Sequence, residues 1–296
     1  MTKPHHPLAP FFVACVAIAL FSAMDAVVKH LAIIMGAYNA MLWRQMAATS
    51  MGGLGFVATK SRIPDWPVIR ISMIRGTVSA AMAFAFFWGI VRVPLAEGIA
   101  ISFIAPLISL YLAAVLLGEK IGQRAIIASL FSLVGVAVTA WARLDRSQHD
   151  PEVLMGIGAI LISAVLYAYN VILQRQQAQM AAPVQVAFLQ MLFALLATAT
   201  FAPFLADYPP TQQIPFILLA AALTYISLFL LSWAYARAEA QALLPVEYTA
   251  FGWAVIMGWY FFNEAVTIPT IIGTGLIVCG CIIAARQPKS AIAAPA

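Results

Sequence analysis

Charged residues are scarce in this sequence. Asp, Glu, Lys and Arg make up 9% of its 296 residues, whereas a typical soluble domain carries about 25%. Mean hydropathy is correspondingly high, at +0.95. Since so few charges cannot cover a water-exposed surface, the composition excludes an ordinary soluble protein and predicts a protein that crosses a membrane several times.

Cysteine and histidine are also rare, with three and four copies. Cys15, Cys279 and Cys281 fall inside apolar runs, as small buried hydrophobic residues do, so no disulfide framework is expected. The histidines show no metal-ligand spacing, and no HExxH, GxSxG or P-loop motif occurs. The sequence therefore predicts no metal, no cofactor and no enzyme activity.

Long apolar runs account for the rest of the composition. They occupy residues 9–31, 37–58, 71–91, 95–117, 122–141, 153–173, 183–205, 214–236, 241–262 and 267–285. A membrane-spanning segment must satisfy its backbone hydrogen bonds internally, and about 20 apolar residues suffice to cross. The pattern predicts an all-α integral membrane protein with ten transmembrane helices.

The second half of the sequence repeats the first at a shift of 145 residues. The matched positions are Phe84/Phe229, Trp88/Trp233, Arg92/Arg237, Glu119/Glu264, Gly135/Gly280, Gln45/Gln190, Met46/Met191 and, with a change of residue, Asp25/Asn170. Matches among scarce Trp, Arg, Glu and Gln indicate a duplicated unit. We expect five-helix repeats at 1–148 and 149–296. The first apolar run resembles a signal peptide, but it belongs to the repeat and should be retained.

The positive residues predict the orientation of the helices. With the N-terminus inside, inner loops and tails hold eleven Lys and Arg and the outer side holds four. The inner set is Lys3, Lys60, Arg62, Arg70, Arg75, Lys120, Arg124, Arg175, Arg237, Arg286 and Lys289, and the outer set is Lys29, Arg92, Arg143 and Arg146. This bias predicts cytoplasmic termini and explains the net charge of +5 without a nucleic-acid partner. Because five is odd, the repeats should be inverted, as in many secondary transporters.

Two segments carry a family resemblance. "LGEKIGQRAIIASLFSLVGVAV" from Leu117 and "FNEAVTIPTIIGTGLIVCGCII" from Phe262 are similar to the paired glutamate and glycine signature of the EamA repeat, found in the drug/metabolite transporter superfamily. "EAQALLPVEYTAF" from Glu239 resembles the family's fourth-helix pattern. The compact form is similar to bacterial aromatic amino acid exporters of the YddG type. The resemblance implies ten helices, inverted repeats and cytoplasmic termini. The copies differ at Pro106 and Pro245, which indicates different bends.

Ionisable residues inside apolar runs are the first candidates for a binding site. Asp25 lies about six residues before the outer end of helix 1, and Arg44 about seven after the outer start of helix 2, which places both at one depth. One interpretation is a functional site that binds the ammonium and carboxylate of a substrate or exchanges a proton. The other is a structural ion pair. The shared depth predicts direct contact.

The second copy places amides where the first has charge. Asn170 replaces Asp25, Gln190 matches Gln45, and Leu189 replaces Arg44. Tyr169, Glu247 and Tyr248 are expected near Asn170 in an inner polar cluster that lines the cavity or only joins helices by hydrogen bonds.

An aromatic stripe follows helix 8 at four-residue spacing, through Tyr225, Phe229, Trp233 and Arg237. Helix 3 repeats it with Phe84, Trp88 and Arg92. The stripes form either a cavity wall that stacks on a ring or cation, or a lipid-facing row that ends in an interfacial Trp and Arg.

Three glutamates remain at the helix ends. Glu97 is interpreted as a guard of the outer mouth or as a solvated acid that suits the helix dipole. Glu119 and Glu264 precede the next helix at opposite faces and are expected to be structural.

These patterns together predict a bacterial inner-membrane carrier that exports amino acids, aromatic ones favoured, and related small metabolites by alternating access. Alternatives are a drug-cation efflux carrier, a phosphate-bearing metabolite exchanger and, in another class, a channel or scaffold. A phosphate exchanger would need several Lys or Arg deep in the cavity. The expected partners of the carrier are a small-molecule substrate and membrane lipid, with a monomer favoured.

Overall fold

The computed structural model describes residues 9–59, 64–117, 123–146, 150–178, 180–181, 183–235 and 249–285. Regular secondary structure within these ranges is entirely helical. The α-helices are α1 (Ala9–Ala58), α2 (Trp66–Ile90), α3 (Leu95–Ser102), α4 (Ala105–Leu117), α5 (Gln123–Arg146), α6 (Pro151–Ala178), α7 (Pro183–Ala199), α8 (Ala202–Leu205), α9 (Ile214–Tyr235), α10 (Thr249–Phe262) and α11 (Ile268–Ala285), and a 3₁₀ turn covers Thr211–Gln213.

Within the described residues, helices occur at each of the predicted apolar runs. The runs 9–31 and 37–58 form the two limbs of α1, which are two helices that meet at a kink. Gly36 interrupts α1 with a φ of 79°, a conformation that glycine adopts without steric cost. Among the described residues, four helices are long and apolar enough to cross a membrane: Ala9–Ala58, Trp66–Ile90, Pro151–Gln174 and Thr211–Leu231.

The run 95–117 is broken between α3 and α4, so its prediction as one continuous helix is wrong. Pro106 has no N–H to donate to the carbonyl of Ser102. Leu107 N instead donates to the Ile104 carbonyl, three residues back, at 3.1 Å. The break is therefore a local consequence of proline.

Prolines and caps set the other helix boundaries. Pro67, Pro151 and Pro183 occupy first turns, where a missing N–H costs little. At the other end of a helix, Asn263 has a φ of 51°, and the N–H of Glu264 donates to the Gly258 carbonyl at 3.0 Å. This left-handed cap ends α10 and fixes the direction of the chain at Glu264.

The helices pack reciprocally between the two halves of the chain. α1 packs along α9, and their repeat counterparts α6 and α2 pack along each other. Likewise α4 contacts α6, while α10 contacts α1. The exchange of partners between copies is what a two-fold relation of the repeats produces.

The contact between α5 and α11 depends on glycine. A Cβ added at Gly135 would collide with the Gly273 carbonyl oxygen, and one added at Gly273 would lie 2.6 Å from the Gly135 carbonyl oxygen, so neither position has room for a side chain. Gly135 belongs to the repeated glutamate and glycine signature, so the structure supplies a packing reason for that glycine.

Candidate functional site

Asp25 and Arg44 lie on the two limbs of α1, on either side of the Gly36 kink. Arg44 is 8% exposed, and Asp25 is half-buried. Nη1 of Arg44 donates to Thr224 Oγ1 of α9 at 3.1 Å, and its guanidinium lies 5.7 Å from the centre of the Phe87 ring. This places a cation, an acid and an aromatic ring inside the helix bundle.

The predicted direct contact between Asp25 and Arg44 is wrong. Within the described ranges the ion pairs are Lys29–Glu264 and Arg92–Glu152. Asp25 and Arg44 still interact electrostatically. Nε of Arg44 is buried without a hydrogen-bond partner among the described residues. The two charges therefore share a neighbourhood, but they do not satisfy each other.

A second buried arginine, Arg75 of α2, serves the other half of the molecule. Its Nε donates to Asn170 Oδ1 at 3.1 Å and its Nη1 to Gln177 Oε1 at 2.7 Å. Nε2 of Gln177 donates to Ser72 Oγ at 2.5 Å, and the Ser72 hydroxyl donates to the Val68 carbonyl at 2.6 Å. Asn170 thus lies in polar surroundings, but its partner is Arg75, which the charge pattern had assigned to a loop. The predicted neighbours Glu247 and Tyr248 lie outside the described residues.

A cavity of about 640 Å³ is lined by residues of α1, of the turn before α3 and of the turn after α10. Its charged lining residues are Lys29, Arg92, Glu97 and Glu264. Glu97 is 2% exposed and accepts a hydrogen bond from Thr270 Oγ1 at 3.3 Å. The interpretation of Glu97 as a solvated first-turn acid is therefore wrong, because the carboxylate is buried.

Lys29 is likewise buried, at 3% exposure, although the charge count placed it among outer positive residues. Its Nζ donates to Glu264 Oε1 and, at 2.9 Å, to the Val93 carbonyl. Oε2 of Glu264 accepts from the backbone N–H of Leu95 at 2.7 Å. Glu264 thus caps the first turn of α3. With Lys29 and Arg75 removed from the count, the charge bias is ten against three.

The aromatic stripes divide between different environments. The Trp88 ring lies 3.4 Å from the Arg92 guanidinium, whose Nε contacts Glu152 at 2.6 Å. Phe229 is 61% exposed, opposite the buried Ala220, Thr224 and Ser227 of α9. That position favours lipid contact for Phe229.

The remaining predicted site residues are less tightly linked. Nε2 of Gln190 donates to Ser79 Oγ at 3.2 Å, while Tyr169 and Trp233 are half-buried. Trp233 packs near Ala14, Ile18 and Ala234. Four positions fall outside the described residues, namely Glu119, Arg237, Glu247 and Tyr248.

Sequence reasoning missed Lys29 and Arg75, and weak signals for both were present. Each charge lies inside an apolar run rather than beyond its end, and Lys29 follows Asp25 by four residues, on the same helix face. Thr224, Gln177 and Ser72 gave no such signal, because small polar residues are common in membrane helices.

The sequence profile of the EamA-like transporter family matches residues 8–141 and 154–286. Among similar proteins, an uncharacterized transporter of Helicobacter pylori strain J99 is 28% identical over 71% of this chain and 72% of its own length. An S-adenosylmethionine uptake transporter of Rickettsia bellii is 22% identical over 75% of this chain and 74% of its own. A solved crystal structure aligns with a TM-score of 0.65 at 18% identity, over 96% of this chain and all of that one. This last similarity concerns the fold alone.

Proposed function

This chain belongs to the EamA-like transporter family, and we propose on that premise that it exports amino acids across the bacterial inner membrane, aromatic ones favoured. Substrate binds between the repeats at Asp25 and Arg44, and the repeats rock about that site. Related small metabolites with the same zwitterionic end belong to the substrate class.

One observation carries the proposal: Asp25 and Arg44 are interior charges that do not pair directly. Nε of Arg44 has no partner among the described residues, and a buried polar atom left this way is costly. A substrate carboxylate is the group that a guanidinium binds best, and a substrate ammonium suits Asp25. An amino acid supplies both charges within one molecule.

Phe87 supports an aromatic preference. Its ring is 4% exposed and lies beside Arg44. A side chain held by its α-amino and α-carboxylate groups at Asp25 and Arg44 would lie close to this ring. Trp88 and Trp233 remain proposed contributors to the cavity wall.

A second candidate is uptake of S-adenosylmethionine, and the names of the Rickettsia relatives favour it. This substrate is itself an amino acid with a cationic sulfonium and an adenine ring. It would bind Asp25 and Arg44 through the same ammonium and carboxylate groups. The two candidate functions therefore differ in the substrate's side chain and in the direction of transport.

A phosphate exchanger and a drug-cation carrier fit the interior charges less well. A phosphate-bearing substrate needs several available cations, yet Arg75 donates to two amides and Lys29 pairs with Glu264. A drug cation needs surplus acid, whereas Asp25 lies in the field of Arg44.

The topology that we propose is ten spanning helices in two inverted repeats, with both termini cytoplasmic. The charge bias and the reciprocal packing of α1 with α9 and α6 with α2 support it. A cysteine at Gln148 should react with a membrane-impermeant thiol reagent in whole cells, and one at Ser61 should not. The reverse labelling pattern would contradict this orientation.

Transport in proteoliposomes tests the function. Vesicles should exchange labelled phenylalanine faster than labelled alanine, with unlabelled S-adenosylmethionine as the competing candidate. Efflux and uptake are measured separately, with and without a pH gradient. Exchange of S-adenosylmethionine without phenylalanine would select the second candidate, and transport of neither would contradict the amino acid proposal.

A further inference from the structure

The pair Lys29–Glu264 joins the first repeat to the second at the wall of the 640 Å³ cavity. We propose that it is a gate that holds the cavity apart from the Asp25–Arg44 site. This proposal rests on transport by alternating access, which requires contacts at one face to break when that face opens.

Three elements meet at the Glu264 carboxylate. Glu264 contacts the Lys29 ammonium through Oε1 and the Leu95 N–H through Oε2, while Lys29 also donates to the Val93 carbonyl. The turn after α10 is thereby tied to α1 and to the start of α3. The side chains of the pair are 4% and 17% exposed, so water screens the contact little.

The gate also has the right position along α1. Lys29 follows Asp25 by one helical turn, so both project from the same face. The cavity lies on the Lys29 side. The Lys29–Glu264 contact therefore lies between this cavity and Asp25 along α1, where a gate between them would be placed.

The lysine is not a general feature of the repeat. Glu264 has a counterpart in Glu119, but the residue 145 positions after Lys29 is Gln174. The glutamate is therefore present in both repeats, whereas the lysine that pairs with it is present at only one of the two equivalent positions. The asymmetry gives one face of the molecule an ionic contact that Gln174 and Glu119, the equivalent residues, would not form as a Lys–Glu pair.

A reporter thiol at Ser22 tests the gate. Ser22 is 1% exposed and lies on the face of Asp25, further from the cavity. With Cys15, Cys279 and Cys281 replaced by alanine, S22C should react slowly with a charged thiol reagent. E264Q, and K29Q combined with E264Q, should raise the reaction rate at least about tenfold, as a shift toward the open state requires.

Arg92–Glu152 provides the matched control. It also links the repeats, and Arg92 lines the cavity, but its side chains are 23% and 57% exposed. It joins the turn after α2 to α6, and these two helices already pack together. R92Q combined with E152Q should leave the S22C rate within about twofold. An unchanged S22C rate in the Glu264 variants, or an equal rise in the control, would overturn the gate.

A second measurement applies even where the neutral variants fail to fold. K29C with E264C, in the same cysteine-free background, is bridged by a short bis-methanethiosulfonate, which forms a reducible disulfide with each thiol. Bridging should abolish transport of whichever substrate the wild type carries, and reduction should restore it; continued transport after complete bridging overturns the proposal. The S22C rates do not depend on substrate, so a gate without amino acid transport contradicts the proposed function alone.

Discussion

The two buried arginines, Arg44 and Arg75, both lie inside the helix bundle, but their hydrogen-bond donors are satisfied to different degrees. Arg75 donates to two amides, and one of these continues to Ser72. Arg44 donates to the hydroxyl of Thr224, while its Nε has no partner among the described residues. Two cations in one bundle can thus serve opposite purposes. A satisfied network stabilises the fold, whereas an incompletely satisfied one is available to a ligand.

The repeat relation sharpens this contrast. Asp25 and Asn170 are equivalent positions, and each has a guanidinium nearby. The guanidinium comes from α1 in one half and from α2 in the other, because Leu189 and Ala220 replace the arginines in the alternate copies. The fold therefore accepts a neutral amide at this position. Charge at Asp25 is explained better by function than by architecture.

The largest expected effect is on transport by the Asp25–Arg44 site. R44Q and D25N should each lower transport by at least about 30-fold, since losing one partner of a buried charge contact typically costs about 2–5 kcal/mol. Initial rates of substrate exchange measure this. The double variant D25N with R44Q should fold and remain inactive. Full transport in that variant would show that the charges are structural.

Next, removal of Arg75 should mainly lower stability. R75M leaves the oxygens of Asn170 and Gln177 buried without their donor, which we expect to lower the unfolding free energy by about 2–5 kcal/mol. Unfolding in detergent by SDS or urea measures the loss. The matched R44M variant should lose less stability and more transport. Equal stability losses would remove the contrast between the two arginines.

A smaller effect is expected at Thr224, which positions Arg44. T224V removes the acceptor at 3.1 Å and should raise KM about threefold to tenfold, with little change in stability. T224S retains the hydroxyl and should restore KM. The contribution of Thr224 is contradicted if valine and serine behave alike.

The smallest effect is expected at Phe229, which contacts neither arginine. F229A should change transport of phenylalanine and alanine by less than about twofold, as at most surface positions. Phe87, beside Arg44, is the comparison, and F87L should weaken phenylalanine more than alanine. A selective loss of phenylalanine transport in F229A would place that ring in the cavity instead.

Apolar run length, proline and glycine placement, and the 145-residue shift were enough to predict the helices, apart from the break before Pro106. The Asp25–Arg44 neighbourhood was also predictable, because two charges on consecutive runs reach the same depth. Whether the two charges pair directly could not be predicted, because depth in the membrane does not determine how each helix is rotated about its axis. The buried state of Glu97 depended on α11 packing beside α3.

The sequence by itself determined that this is a duplicated helical membrane protein, because run length and scarce matched residues are local properties of the chain. Only the tertiary structure decided which charges are satisfied. Lys29 and Glu264 are 235 positions apart, and Arg75 and Gln177 are 102 apart. A hydrogen bond over such separations depends on helix rotation and on packing within a few tenths of an ångström, and neither is encoded in the spacing of residues along one helix.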